Sequence, residues 1–124
     1  MDIEYIPETK VVLIYGHEPQ VVAVLRDRIE DLATQRIDAL VIHDLPGFRA
    51  VGGCELIASC GTSDHGVQPD PNPPAFRCEL KSSTWRDIAD LLEPFSDGRY
   101  FAANHQYLDE HGDVQLIISG GKGW

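Results

Sequence analysis

Apolar positions along this chain recur at two spacings, one suited to strands and one to helices. "KVVLIYG", from Lys10 to Gly16, is a short, continuous, β-branched run and reads as a buried strand. In the following "HEPQVVAVLRDRIEDLATQ", Val22, Leu25, Ile29 and Leu32 are spaced 3, 4 and 3, which is one face of an amphipathic helix. Pro19 suits the first turn of that helix, where a missing N–H costs nothing. "RIDALVIHDL" predicts a second strand. Pro46-Gly47 marks a turn, and "FRAVGGCELIASCG" predicts a third strand with a bend at Gly52-Gly53.

"GTSDHGVQPDPNPPA", residues 61–75, holds four of the eight prolines and no periodicity, so it reads as a long loop, either functional or disordered. "FRCEL" is a short strand. "STWRDIADLLEPF" predicts a second helix with Trp85, Ile88, Leu92 and Phe95 on its apolar face. Thr84 with Asp87 resembles a capping box, Ser83 is an equally good cap, and Pro94 should end the helix near Glu93. After a turn at Asp97-Gly98, "RYFAANHQYL" and "DVQLIISG" predict a hairpin across "DEHGD".

The chain nearly repeats itself. "CELIASCG" (54–61) and "VQLIISGG" (114–121) match at an offset of 60, the helix faces superimpose at an offset of 63, and at 62 His43 falls on His105. The pattern predicts an α+β fold: tandem βαββ-βαββ, mostly antiparallel sheet or sheets, two helices packed on one side, and an internal duplication. Residues 1–124 form a single domain, with pseudo-repeats at about 10–60 and 75–121 joined by the loop 61–75.

Composition narrows the setting. The 124 residues are 43% hydrophobic and 24% charged, ordinary for one globular domain. The apolar runs are too short to span a bilayer, and the acidic start lacks a signal-peptide pattern, so a soluble, cytoplasmic protein is expected. Three cysteines form no disulfide framework. Twenty acidic against ten basic residues give a net charge of −10, which repels a phosphate backbone. A protein partner with a basic surface is expected instead, with Asp87 and Asp90 among the contact residues.

Candidate chemistry is sparse. Cys54, Cys60, His65 and Cys78 suggest zinc, but six extended residues separate the first two thiols by about 20 Å, so no metal and no cofactor are expected. Asp64 beside His65 can orient an imidazole, with Cys60 or Ser63 as nucleophile. His43 and His105, if related by the repeat, can meet as a metal or proton site, with His17-Glu18 nearby. In topology this resembles the two-module vicinal-oxygen-chelate enzymes. Their strand ligands are not duplicated here, since Glu55 becomes Gln115 and His17 falls near Lys81. The "SGGKGW" tail lacks phosphate-loop spacing, which leaves Trp124 as a core residue or a partner anchor. The expected function is a small acidic binding protein without catalysis, for instance an immunity or antitoxin-type inhibitor. The rival is a small metal-binding protein or enzyme using His43, His105 and the Asp64-His65 loop.

Overall fold

A computed structural model describes residues 1–72, 74–99 and 104–122. In chain order the elements are β1 (Asp2–Ile6), β2 (Val11–Tyr15), α1 (Pro19–Ala33), β3 (Ala39–Val41), β4 (Arg49–Ala50), β5 (Glu55–Gly61), β6 (Gly66–Pro69), β7 (Ala75–Lys81), α2 (Ser82–Ser96), β8 (His105–Asp109) and β9 (Gln115–Ser119). The fold is α+β, with two sheets of mixed direction. The first has the order β4-β1-β2-β9-β8 and the second β3-β5-β7-β6. Hairpin partners run antiparallel, whereas β2 and β9, and β5 and β7, run parallel.

Each sheet therefore takes one hairpin from each half of the chain. The registers recur too. Ile3 faces Ile14 in the β1–β2 pair and Val67 faces Cys78 in the β6–β7 pair, both partners lying 64 residues on (67 − 3 and 78 − 14). Val11 faces Gln115 across the parallel seam of the first sheet, and Ala75 faces Glu55 across that of the second.

Two strands depart from the expected pattern. β1 lies in the acidic stretch before Lys10, where alternation with Asp2 and Glu4 hid a strand whose Ile3 is fully buried. β6 lies inside the expected loop 61–75. Its one proline, Pro69, suits the end of an edge strand, which needs no donor on its open side. Val67 is fully buried and bridges to Val114, so this segment joins the two sheets.

Both helices turn their apolar stripes, Val22, Leu25, Ile29, Leu32 and Trp85, Ile88, Leu92, Phe95, into one core shared with both sheets. Burying each large side chain contributes about 1.5–3 kcal/mol. Trp85 donates its indole N–H to the Ser59 carbonyl at 2.9 Å. The helices pack against each other, and Arg26 Nε donates to the Ala89 carbonyl at 3.1 Å. Pro19 stands in the first turn of α1 as expected. α2 runs past Pro94 to Ser96 instead of stopping near Glu93. Pro94 costs the bond that an N–H there would make to the carbonyl of Asp90, which belongs to an exposed residue on the outer side of the helix. A smaller cluster, Val11, Leu13 and Ile117, is fully buried on the other face of the first sheet. Among the described residues no helix is long and apolar enough to cross a membrane.

Candidate functional site

The expected residues fall into separate environments. His43 sits in a 3-10 turn at Ile42–Asp44, after β3. Its Nδ1 accepts the backbone N–H of Leu56 at 2.9 Å, while Nε2 lies 3.8 Å from both Asp44 and Glu55. Its side chain is only 11% exposed. An acceptor Nδ1 places the proton of the neutral ring on Nε2.

His105 stands on β8 of the other sheet, opposite Ser119, with its ring edge-on to Tyr107 at 6.1 Å. The pairing registers do not put the two histidines at equivalent places. At the offset of 60, Ser59 falls on Ser119 and Ile57 on Ile117, so the residue that register matches with His105 is Ala39, and Val41 matches Tyr107, whereas His43 lies past the end of β3.

Asp64 and His65 point to different partners. His65 Nε2 lies 3.3 Å from Glu79 at the surface. Asp64 caps α2: its Oδ1 accepts the Lys81 N–H at 2.9 Å, and the neighbouring Thr84 hydroxyl also favours its charged form. The expected Thr84–Asp87 box is thereby replaced by a cap from outside the helix, and no side chain of the capping residue Lys81 takes part. The Lys81 N–H, more than any other contact, pulls the Asp64 carboxyl below its usual range.

The same carboxylate faces a histidine that the sequence pattern left in a turn. His111 Nε2 lies 3.8 Å from Asp64 Oδ2, and Lys81 Nζ lies 3.8 Å from that oxygen. His111 Nδ1 is 2.5 Å from Asp109 Oδ1, and the His111 N–H donates to Asp109 Oδ2 at 3.2 Å. A bulge between Tyr107 and Asp109 makes this possible. It buries Leu108 and Asp109 in succession and turns the Asp109 carboxylate inward, fully buried, while the His111 side chain stays 49% exposed. The Asp109 bond raises the His111 pKa above the usual imidazole value. Beside them is a surface groove of about 310 Å³ lined by Tyr107, Leu108, Asp109, Glu110 and His111. Backbones meet tightly here: a side chain on Gly66 would collide with the Gly112 amide and lie 2.8 Å from Asp109 Oδ2. The available signal was Asp-x-His in a short hairpin turn, a spacing at which Asp bonds the backbone two residues on.

Cys54 and Cys78 are buried core thiols, and burial pushes Cys54 up to about 11. Cys60 is half-buried at a cavity of about 240 Å³ shared with Gln35, Ile37, Asp38 and Thr62. Among the described residues no three His, Cys, Asp or Glu side chains gather as metal ligands. His17 is exposed, and Glu18 pairs with the Met1 amino group. Trp124 lies outside the described residues.

On the helical layer, Glu30 pairs with Arg26, and Asp31 with Arg28 and Arg36. Exposed Asp27, Asp87, Asp90 and Glu93 carry no ion pair among the described residues. Between the helices is a cleft of about 240 Å³ lined by Glu30, Ala33, Thr34, Arg86, Ala89 and Asp90. Comparison with family models, with curated proteins and with solved structures finds no match to this chain.

Proposed function

We propose that this chain is a small acidic binding protein without catalysis, an immunity or antitoxin-type inhibitor, that engages a basic protein partner through the layer formed by α1 and α2. The observation that carries the reading is the set of carboxylates on that layer, Asp27, Asp87, Asp90 and Glu93, which form no ion pair among the described residues, while the chain as a whole carries −10. Exposed carboxylates beside a cleft give a long-range field that speeds encounter with a cation-rich surface and opposes nucleic acid. The expected setting is the cytoplasm. We also infer an internal duplication of a hairpin–helix–hairpin unit, larger than the 10–60 and 75–121 repeats because β1 and β6 belong to it. The recurring registers support it.

The enzyme reading has one observation in its favour, and it moves that reading away from His43 and His105. A fully buried Asp109 orients a half-exposed His111 at a groove, as a carboxylate orients a general base. The two readings separate by experiment. A partner captured from the native host is identified and its association rate measured across salt, for the wild type and for the triple variant Asp87→Asn, Asp90→Asn, Glu93→Gln. The binding reading expects the on-rate to fall with salt and with neutralisation. A rate indifferent to both leaves the charge to solubility alone and defeats it.

A further inference from the structure

The β8–β9 turn closes the corner where the two sheets join. Val114 donates its N–H to the Val67 carbonyl at 3.3 Å, Gly112 lies directly against Val67, and Gly66 packs on Asp109. His111 stands at this corner between two carboxylates from different parts of the chain, Asp109 on β8 and Asp64 on the β5–β6 connection. We propose that His111 is a pH-sensitive clamp which, when protonated, bridges Asp109 and Asp64 and so holds the β8–β9 turn against the segment that caps α2.

Proton count makes the clamp switchable. Imidazolium donates from Nδ1 to Asp109 and carries a positive charge with a second N–H toward Asp64 at ion-pair distance, 3.8 Å, whereas neutral imidazole has one N–H and no charge. Asp109 is fully buried, and an unsatisfied buried carboxylate is the costlier loss, so the remaining proton stays on Nδ1. Nε2 then presents a lone pair to Asp64, and attraction becomes repulsion. Asp64 keeps the Lys81 N–H, so α2 remains capped while the tie to the turn is lost. The charged groups facing His111 are Asp109 from β8, Asp64 from the β5–β6 connection, and Lys81 at the junction of β7 and α2, which opposes protonation. Glu110, in the turn, accepts instead from Gln115.

The folded state raises the His111 pKa, so the clamp contributes fully below the ordinary value of 6.5 and is lost as pH rises through the raised folded value. The test is an NMR titration of the wild-type imidazoles, combined with amide exchange at Val114 corrected for intrinsic pH dependence. His111 should titrate above 6.5, and Asp64→Asn should lower its midpoint. Val114 protection should drop several-fold from about pH 5.5 to about pH 8.5 in the wild type but stay level in His111→Gln. A His111 midpoint at or below the ordinary value, or Val114 protection unchanged across the titration, overturns the proposal. Should His111→Gln fail to fold, the wild-type titration and exchange decide alone.

Discussion

His43 accepts the backbone N–H of Leu56 through Nδ1 at 2.9 Å, which makes it a brace between the turn after β3 and the first residues of β5. The Leu56 side chain is fully buried in the core, so the position of this peptide matters to the packing around it. His43→Ala removes the acceptor and leaves the N–H to whatever water can enter. The expected loss is about 1–3 kcal/mol, the cost of stranding a donor at a poorly hydrated site. Urea unfolding of the variant measures it directly. A variant as stable as the wild type would show that the imidazole is dispensable to the fold, and a ligand role would regain ground.

Residues 61–72 should resist limited proteolysis. Their prolines and polar residues look like an accessible loop, yet β6 pairs with β7 from Gly66 to Pro69 and Val67 is fully buried. Cleavage needs an extended, unpaired stretch of backbone, and pairing on β7 with a bridge to Val114 denies it. Mass spectrometry of early fragments locates the first cut. A first cut between Gly66 and Pro69 would mean that β6 opens readily.

The helices were legible because their apolar residues are spaced at a period that only a buried face explains, and β2, β5, β7 and β9 because each is a short apolar or alternating run. Val22, Leu25, Ile29 and Leu32 needed no tertiary information. β6 was not legible: four residues with one buried valine carry no period, and the strand exists because β7 and Val114 supply partners from elsewhere. The cap of α2 shows the same limit. Thr84–Asp87 satisfies the local rule, but the helix already starts at Ser82, and Asp64, 17 residues upstream, accepts the N–H of the capping residue Lys81. The parallel seams between halves were hidden because pairing direction leaves no trace in a single strand's pattern. His111 was hidden by a bulge, which changes which way a carboxylate points without changing composition.

The three cysteines should separate cleanly under alkylation. Cys54 and Cys78 have no exposed surface, and burial raises both thiols, Cys54 to about 11. Reagents attack the thiolate, so both lack access and nucleophile at neutral pH. Cys60 is half-buried at the edge of a cavity and should take up iodoacetamide first. Native-state labelling followed by peptide mapping reads the order. Labelling of Cys78 as fast as Cys60 would require the β5–β7 region to open on the experimental timescale.

Tyr15 should keep its proton well above pH 10. Burial is the main cause, and the phenol also donates to Glu4 Oε1 at 2.9 Å, so ionising it would set two negative charges side by side. Together with a further push from Asp2, and against Arg49, these hold the group at about 12. Lys122 lies 3.2 Å from the same Glu4 oxygen and keeps that carboxylate in place. The sign follows from the raised folded value. The stability this proton provides is complete below the ordinary 10.0 of the unfolded chain, and it drains away as pH rises toward 12. Tyrosinate absorbance of the wild type minus that of Tyr15→Phe isolates the one residue among four tyrosines. Glu4→Gln should lower its midpoint without returning it to 10.0, because the larger contribution, burial, remains. It should also make unfolding less sensitive to pH in the alkaline range. A wild-type Tyr15 that ionises at the ordinary value while the protein is still folded would mean that the Glu4–Tyr15 bond between β1 and β2 does not persist in solution.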